Sequence, residues 1–244
     1  MKQSIFTVAE NVPLTASVYK MVLAGDTASI TAPGQFINIK LEGKYLRRPI
    51  SVCDCEDGLV TIVYKVVGVG TEQMSQMQVG EKLDILTGLG NGYDTSLTGD
   101  RPLLLGGGVG VPPLYMLAKK LRSEGKTVSV VLGFNTADEV FYENEFKALG
   151  CDVTVTTVDG SYGVKGFVTT AMSENYTHVC TCGPEPMLKA VYRATATSGQ
   201  FSFEERMGCG FGACMGCSCK TITGYKRICK EGPVMKKEDI LWED

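Results

Sequence analysis

The chain has little histidine: His178 is the single one among 244 residues. Imidazole-based acid–base catalysis and histidine-ligated metal sites are therefore disfavoured, and we expect His178 to be a half-buried strand residue. Basic charge is scarce as well, since the chain has 24 lysines and arginines against 27 aspartates and glutamates, which gives a formal net charge of −3. Nucleic-acid-binding surfaces need a basic patch, so no nucleic-acid partner is expected.

Long apolar runs are also missing. The apolar stretch LLLGGGVGVPPLYML is broken by glycines and prolines, which argues against a membrane span. The first residues, MKQSIFTVAENVPL, lack the apolar core of a secretory signal. Ten cysteines without such a signal indicate the reducing cytoplasm, where thiols bind metals or fill cores, rather than a disulfide framework.

Cysteine and glycine are concentrated in one segment near the carboxyl end, FEERMGCGFGACMGCSCKTITGYKRIC. Cys209, Cys214 and Cys217 have C-x4-C-x2-C spacing, and eleven residues separate Cys217 from Cys229. This is the plant-type spacing for a [2Fe–2S] cluster, whose fourth thiolate comes from a later segment. Glycine lets the backbone wrap around a cluster and direct its N–H groups at sulfur; the glycines here are Gly208, Gly210, Gly212 and Gly216. We predict a one-electron carrier whose [2Fe–2S] cluster is ligated by these four cysteines.

Alternatives remain for these thiols. Four thiolates also suit structural zinc, but zinc modules usually pair two short knuckles, whereas three of these cysteines share one glycine-rich loop. Cys219 is a fifth thiol that could replace Cys217 or Cys229, with a poorer match to the spacing. The remaining cysteines without ligand spacing are expected to be small buried hydrophobic residues: Cys53, Cys55, Cys151 and Cys180.

The rest of the chain has two different sequence patterns, one in each half. Up to about Leu97, six short β-branched or alternating segments with turn signals between them predict an antiparallel barrel, with a short helix in GVGTEQMSQMQVG. From about Arg101, strands alternate with helices, the last two helices being predicted around VTTAMSEN and through PEPMLKAVYRATAT. This alternation predicts a parallel sheet covered on both faces. The fold class is thus multi-domain, β followed by α/β, with units 1–99, 100–200 and a small tail 201–244.

Two glycine-containing turns lie in the α/β segment. Gly106, Gly107, Gly108 and Gly110 separate its first strand from its first helix, where glycine permits close approach of a phosphate to a helix N-terminus. The pattern is not G-x-G-x-x-G, and on its own it is equally a tight turn. Cys182, Gly183 and Pro184 follow the last strand, at the edge where open α/β sheets bind ligands; a simple helix cap is the alternative.

The segment after the second strand of this unit, GFNTADEVFYENEF, has no lysine or arginine before Lys147. Arginine is the usual partner of the 2′-phosphate of NADP(H), so its absence favours NAD(H).

In the barrel segment, Arg48, Pro49, Ile50 and Ser51 begin a strand. An arginine there can pair with a pyrophosphate, and a serine hydroxyl can bond a heteroaromatic nitrogen. An exposed arginine beside an ordinary strand entrance is the alternative.

Taken in order, RPIS on a barrel followed by GGGVGVPP and CGPEPM on an α/β unit resembles the ferredoxin–NADP⁺ reductase family of flavoproteins. With MGCGFGACMGC and KRICKEGPV added, the chain resembles the electron-transfer subunits of type B dihydroorotate dehydrogenase over essentially its whole length. The resemblance implies FAD contacts at Arg48 to Ser51, at Val63, Tyr64 and Lys65, and at Gly70 with Thr71. It places the nicotinamide nucleotide at Gly106 to Gly110 and at Cys182 to Pro184, with hydride transfer near Cys182. It assigns Cys209, Cys214, Cys217 and Cys229 to the cluster, while Cys219 departs from the family, where a non-thiol is expected.

The resemblance also implies a route for electrons and a partner. Electrons pass from dihydroorotate to FMN on a separate catalytic subunit, then to the [2Fe–2S] cluster, FAD and NAD⁺, in a heterotetramer with two copies of each subunit. The chain alone is then unable to oxidise dihydroorotate. Three alternatives stay open: a stand-alone NADH-dependent reductase, a subunit of a transhydrogenase or sulfide dehydrogenase, and a non-enzymatic nucleotide-binding module with a zinc-bound tail.

Overall fold

The computed structural model describes residues 1–242 and begins with a closed antiparallel barrel. Strand order around the barrel is β1-β2-β5-β4-β3-β6, with bounds β1 Lys2–Pro13, β2 Val18–Ala24, β3 Phe36–Ile39, β4 Arg48–Glu56, β5 Leu59–Lys65 and β6 Lys82–Leu89. Alternating apolar residues fill the interior, among them Phe6, Met21, Ile37, Ile62 and Ile85. Helix α1 (Val69–Ser75) follows β5. The predicted barrel and its short helix are confirmed.

The second unit is built on a sheet of seven strands. Its elements are β7 Pro102–Gly107, α2 Pro113–Ser123, β8 Ser129–Phe134, α3 Glu143–Ala148, β9 Asp152–Thr157, β10 Val164–Lys165, β11 His178–Cys182, α4 Glu185–Ala194, β12 Gly199–Ser202 and, after the β13–β14 hairpin (Ser218–Thr221 and Gly224–Arg227), β15 Val234–Lys236. The strand order β10-β9-β8-β7-β11-β12-β15 is parallel except for the edge strand β15. The predicted parallel sheet is confirmed.

Alternate residues of the central strand point to opposite faces of the sheet. Leu104 packs in one core with α2, while Leu103 and Leu105 pack in a second core with Leu188 and Val191 of α4. Continuous apolar runs of this kind are typical of parallel strands covered on both faces.

One predicted helix differs in the structure. The stretch around VTTAMSEN forms only a 3₁₀ turn, Val168–Ala171. β-Branched residues lose side-chain freedom in a helix, and the hydroxyl of Thr170 donates to the Phe167 carbonyl at 2.8 Å, which favours a turn. Helix α3 is short because Tyr142, with φ of +68°, reverses the chain just before it.

His178 is fully buried in β11 rather than half-buried, with its Nε2 3.3 Å from the side-chain nitrogen of Gln200. Burial lowers the pKa of His178, so the ring is a neutral core group at physiological pH. No helix within residues 1–242 is both long and apolar enough to span a membrane.

The cysteine-rich tail is joined to both preceding units. Its hairpin β13–β14 stands alone, whereas β15 pairs with β12 at the edge of the large sheet. The sequence-based boundary at residue 200 therefore falls inside β12. Asn91, just after the barrel, donates to the carbonyls of Glu231 (3.0 Å) and Val234 (2.7 Å) and accepts from the Val234 N–H at 3.0 Å. These bonds hold the tail against the end of the barrel.

The barrel and the α/β unit meet where α2 lies on β4. The ammonium of Lys119 is 2.9 Å from Asp54 and 2.8 Å from Glu56. Burial lowers the pKa of Lys119, but the hydrogen bonds to Glu56 and Asp54 outweigh it and the pKa is raised. The folded pKa exceeds the unfolded one, so the pairing stabilises the protein at neutral pH and is lost as pH rises through that raised pKa.

Replacing Lys119 by methionine should lower the free energy of unfolding by about 0.5–1 kcal/mol, the range for partly exposed ion pairs. Urea unfolding of Lys119→Met measures this change, with Lys120→Met, at the neighbouring exposed position, as the matched control. Equal stability of the two variants would contradict a stabilising role for the Lys119 cluster.

Candidate functional site

A single cleft of about 770 Å³ lies between the barrel, the carboxyl edge of the parallel sheet and the tail. The barrel contributes the Arg48–Ser51 strand entrance, the end of β5 and Thr71; the sheet contributes the glycine turn after β7 and the turn after β11. The tail contributes Phe203, Glu204, Glu205, Met207 and Pro233. Of the sixteen residues predicted to bind the flavin or the nicotinamide nucleotide, all line the cleft except Gly70 and Gly106.

Arg48 lies at one corner of this cleft, and Gly70 packs directly behind its guanidinium. A Cβ atom on Gly70 would lie 2.2 Å from Nε of Arg48, so only glycine lets the guanidinium rest against the first turn of α1. The guanidinium also donates to the Leu46 carbonyl. Thr71 closes the turn, because its hydroxyl accepts from the Val67 N–H at 2.9 Å and donates to the Gly68 carbonyl at 3.0 Å. A fixed cation beside helical N–H groups suits a phosphate.

The side chains at the end of β5 point in different directions. The Tyr64 hydroxyl donates to Oδ1 of Asn11 at 3.0 Å, and Asn11 donates to the Met74 carbonyl at 2.9 Å. Burial raises the pKa of Tyr64 well above its ordinary value. Tyr64 therefore supports α1 from below, while Lys65 is on the opposite side, 4.0 Å from the Glu139 carboxylate.

The two turns at the sheet edge touch each other. A Cβ on Gly110 would lie 2.3 Å from the Cys182 carbonyl oxygen, and one on Gly107 would lie 2.4 Å from Sδ of Met187. Gly108 has φ of +52°. Gly106 lies behind this surface, where a Cβ would be 2.9 Å from Cα of Val111. Glycines here bring the loops after β7 and β11 together as one surface at the helix start.

Cys182 is a buried thiol in the centre of this surface. Burial raises the pKa of Cys182 to about 12, and the carboxylate of Glu204 adds to the rise while a hydrogen bond with Ser202 opposes it. At physiological pH the side chain is therefore a small neutral group, not a thiolate nucleophile.

We expect the rate of flavin reduction by NADH to show no inflection from Cys182 between about pH 6 and 9, since its thiol stays protonated there. Stopped-flow pH profiles of the native chain and of Cys182→Ser should have the same shape, whatever their absolute rates. An inflection present in the native chain and lost in the variant would contradict this.

The cysteine loop directs backbone N–H groups at its own sulfurs. Sγ of Cys209 accepts from the N–H of Ala213 (3.2 Å) and Cys214 (3.4 Å), and Sγ of Cys214 accepts from the N–H of Gly216 at 3.5 Å. Burial raises the pKa of Cys209, but backbone donors from Phe211, Cys214 and Ala213 lower it to about 6. The loop thus stabilises the thiolate of Cys209, the form that binds metal.

The four thiols stand as two pairs, Cys209 with Cys214 and Cys217 with Cys229. Sγ of Cys217 accepts from the Cys229 N–H at 3.4 Å; burial and the neighbouring Cys217 raise the pKa of Cys229 to about 12. Within residues 1–242, no three metal-binding side chains are already gathered into one set. This pairing suits a [2Fe–2S] cluster, in which each of two irons takes two thiolates.

Cys219 is placed differently from these four. It lies on β13 opposite Lys226, and it lines a separate cavity of about 180 Å³ together with Phe203 and Trp242.

The cleft and the cysteine loop share a wall. Phe36 lines the cleft and also packs in the apolar cluster that contains Cys217 and Cys229. Phe203 and Met207 of the tail lie in both places as well. One layer of apolar side chains therefore separates the cleft from the thiols.

Several cleft residues were missed by sequence reasoning. Phe36 and Phe167 carry no motif, and Ser202 to Glu205 lie beside Cys182 only because β12 pairs with β11. Glu139 accepts from Asn135 through its backbone N–H (3.1 Å) and its side-chain nitrogen (2.9 Å) at the carboxyl end of β8. The absence of lysine and arginine after β8 is the one sequence feature that could have indicated an acidic residue at this edge of the cleft.

Comparison with known proteins agrees with this geometry. Residues 204–241 match the model of the iron-sulfur cluster binding domain of dihydroorotate dehydrogenase B, and residues 104–193 match an oxidoreductase NAD-binding domain. The chain is 43% identical over 256 residues to the dihydroorotate dehydrogenase B (NAD(+)) electron transfer subunit of Geobacillus sp. (strain WCH70), covering 99% of each chain. It is 45% identical over 257 residues to the subunit of the same name from Fusobacterium nucleatum, covering 98% of this chain and 99% of that one.

Among solved structures, that of an NADH-dependent reduced ferredoxin-NADP oxidoreductase superposes with a TM-score of 0.88 at 31% identity, covering 98% of this chain and 90% of that one. A ferredoxin NADP+ reductase from Neisseria gonorrhoeae shares the fold, with a TM-score of 0.70 at 16% identity, covering 80% and 90%. With more than 40% identity over nearly the full length of its relatives, the chain belongs to the family of dihydroorotate dehydrogenase B electron transfer subunits.

Proposed function

We propose that this chain carries electrons from a dihydroorotate-oxidising partner subunit, through a [2Fe–2S] cluster and FAD, to NAD⁺ in pyrimidine biosynthesis. The observation that carries the proposal is the shared wall formed by Phe36, which touches the cleft on one side and packs with Cys217 and Cys229 on the other. A cofactor in the cleft and a cluster in the loop are then close neighbours. Bound FAD supplies chemistry that links two-electron hydride exchange with one-electron transfer.

The barrel side of the cleft is the proposed FAD site. Arg48 and the α1 turn at Gly70 and Thr71 bind the pyrophosphate, because a guanidinium and helical N–H groups converge there. Pro49, Ile50 and Ser51 follow Arg48 along β4 and line the same cleft, where the Ser51 hydroxyl would hydrogen-bond the flavin ring. Val63, Tyr64 and Lys65 form the second wall of the site, with the Tyr64 side chain supporting α1 rather than contacting the cofactor.

The sheet edge is the proposed NAD(H) site. Gly107, Gly108 and Gly110 let the dinucleotide phosphates approach the start of α2, and Gly106 allows the turn to pack on its strand. Gly183 and Pro184 hold Cys182 beside the position of hydride transfer. A neutral thiol there excludes water without adding charge.

Cys209, Cys214, Cys217 and Cys229 are the proposed cluster ligands, one pair for each iron. The two backbone donors to Sγ of Cys209 hold its thiolate in place, and N–H groups aimed at sulfur also tune the ease of reduction. Cys219 packs against the apolar cluster that contains Cys217 and Cys229 but also lines the separate cavity, and its spacing matches the cluster pattern less well, so we leave it out of this set.

These sites lead to a cofactor for each unit of the chain, and to an expected partner and compartment. We assign residues 1–99 to FAD, 100–200 to NAD(H) and 201–244 to the cluster, although the third unit shares a sheet with the second. The partner is an FMN-containing catalytic subunit, in a heterotetramer of two copies of each. None of the ten cysteines forms a disulfide, which suits the reducing cytoplasm.

An anaerobic reconstitution tests the proposal. The chain alone should contain FAD, iron and sulfide and reduce an artificial acceptor with NADH, yet leave dihydroorotate untouched. Adding the FMN subunit should restore dihydroorotate-dependent NAD⁺ reduction. Oxidation of dihydroorotate by the chain alone, or absence of FAD and iron from the folded chain, would overturn the proposal.

The match to the NADH-dependent reduced ferredoxin-NADP oxidoreductase, over 98% of this chain, favours one second candidate. In that case the chain serves a transhydrogenase or sulfide dehydrogenase, or acts as a stand-alone NADH-dependent reductase. Co-purification separates the two: a stable complex with an FMN protein that oxidises dihydroorotate supports the first function, and a complex with another flavoprotein supports the second.

A further inference from the structure

Strand β3 has one polar side chain facing the tail. Ile37 and Ile39 point into the barrel core, so Phe36 and Asn38 point outward. Asn38 is nevertheless only 1% exposed, because the cysteine loop covers it. A buried amide on an otherwise apolar contact surface is costly unless it serves a specific contact.

The contact that Asn38 makes is with a proposed cluster ligand. Its Nδ2 donates to the backbone carbonyl of Cys209 at 3.1 Å. The next residue, Gly210, has φ of +78°, and a Cβ there would lie 2.4 Å from the same Nδ2. Glycine at this position is therefore what lets the amide reach the ligand's carbonyl.

The orientation of the amide is fixed by this one bond. Its Oδ1 is buried without a hydrogen-bond partner among residues 1–242. A flipped amide would point Oδ1 at the Cys209 carbonyl oxygen, placing two acceptors against each other. The backbone is equally fixed, since β3 pairs with β4 at Pro49 and with β6 at Leu86.

We propose that Asn38 is a positioning residue of the cluster site. It acts through Cys209: the bond holds the ligand loop at a set distance from the flavin cleft, and its N–H dipole draws electron density from the ligand's peptide group. Phe36, two residues earlier on the same face, lines the cleft, so one short strand sets the geometry of both redox sites. The inference rests on the proposed function only in taking Cys209 as a ligand.

A matched control exists in Asn91. It also holds the tail to the barrel side through a partly buried amide, but its partners are the backbones of Glu231 and Val234 rather than a proposed ligand. A purely structural role for Asn38 would make the two asparagines equivalent in their effects on the cluster.

The test is an EPR-monitored redox titration of the FAD- and iron-loaded full chain, with Asn38→Leu, Asn38→His and Asn91→Ala compared. Asn38→Leu removes the donor and should lower the equilibrium constant for reduction of the cluster by about threefold to tenfold, the range for one hydrogen bond. A tenfold fall corresponds to about 59 mV for a one-electron couple. Asn38→His keeps a donor at the equivalent atom and should restore the native potential. Asn91→Ala should lower the melting temperature and leave potential and EPR signal unchanged.

Native potential and EPR signal in Asn38→Leu would overturn the inference. Failure of both Asn38→Leu and Asn91→Ala to hold iron would also overturn it, because tail docking in general would then be the cause. Loss of iron from Asn38→Leu alone, with FAD retained, supports it. A native chain without any cluster would instead contradict the proposed function. Failure of the inference about Asn38 and failure of the proposed function are therefore distinguishable.

Discussion

Replacing Cys214 by serine should remove the iron and sulfide from the chain and abolish electron transfer between dihydroorotate and NAD⁺, while FAD stays bound. Serine oxygen is a hard ligand that suits an iron–sulfur cluster poorly. Cys214 and Cys209 form one of the two thiol pairs, so the loss leaves one iron with a single thiolate. We expect transfer in the complex to fall by more than about 100-fold, beyond the effect of changing a residue that only hydrogen-bonds a ligand.

Metal analysis, visible spectra and dihydroorotate-dependent NAD⁺ reduction measure these outcomes, and the FAD content reports on the barrel. Cys219→Ser is the matched control, since it changes a thiol on β13 that lines the separate cavity. It should keep iron and activity. Loss of iron in Cys219→Ser together with retention in Cys214→Ser would show that the ligand set is different.

Sequence reasoning recovers those parts of the molecule that local pattern determines. The six barrel strands alternate inward and outward residues, and the parallel strands are continuous apolar runs, so both units could be predicted. The helix expected around VTTAMSEN failed because β-branched residues and a hydroxyl-to-carbonyl bond favour a 3₁₀ turn. The C-x4-C-x2-C spacing could be read directly from the sequence because Cys209, Cys214 and Cys217 share one loop.

What could not be predicted depends on contacts between distant segments. Asn38 meets Cys209 across 171 residues of sequence, and β15 joins the sheet at β12 after the whole cysteine loop. Phe36 becomes a wall of the cleft only because the tail folds back onto β3. Asn38 and Phe36 belong to no motif, so no local signal marks them. The individual binding segments could thus be predicted from the sequence, whereas the apolar layer between the cleft and the cysteine loop could not.

Replacing Arg48 by methionine should weaken FAD binding by about 10- to 100-fold, since hydrogen bonds to a charged group are worth about 1.5–3 kcal/mol. The guanidinium rests on Gly70 at the start of α1, where it has been assigned to the pyrophosphate. Gly70→Ala should act in the same direction, because its Cβ would lie 2.2 Å from Nε of Arg48 and would displace the guanidinium. Quenching of FAD fluorescence on titration into the apo chain gives the dissociation constant.

The neighbouring arginine provides the control for this prediction. Arg47 points away from the cleft, with its guanidinium 3.0 Å from the Asp84 carboxylate and donating to the Asp84 carbonyl at 2.9 Å. Arg47→Met removes the same charge one residue away, so it should lower stability modestly and leave the FAD dissociation constant unchanged. Riboflavin, which lacks phosphate, should bind all variants alike. A variant of Arg48 that loses affinity equally for FAD and riboflavin would show that the arginine supports the fold of the cleft instead of the pyrophosphate.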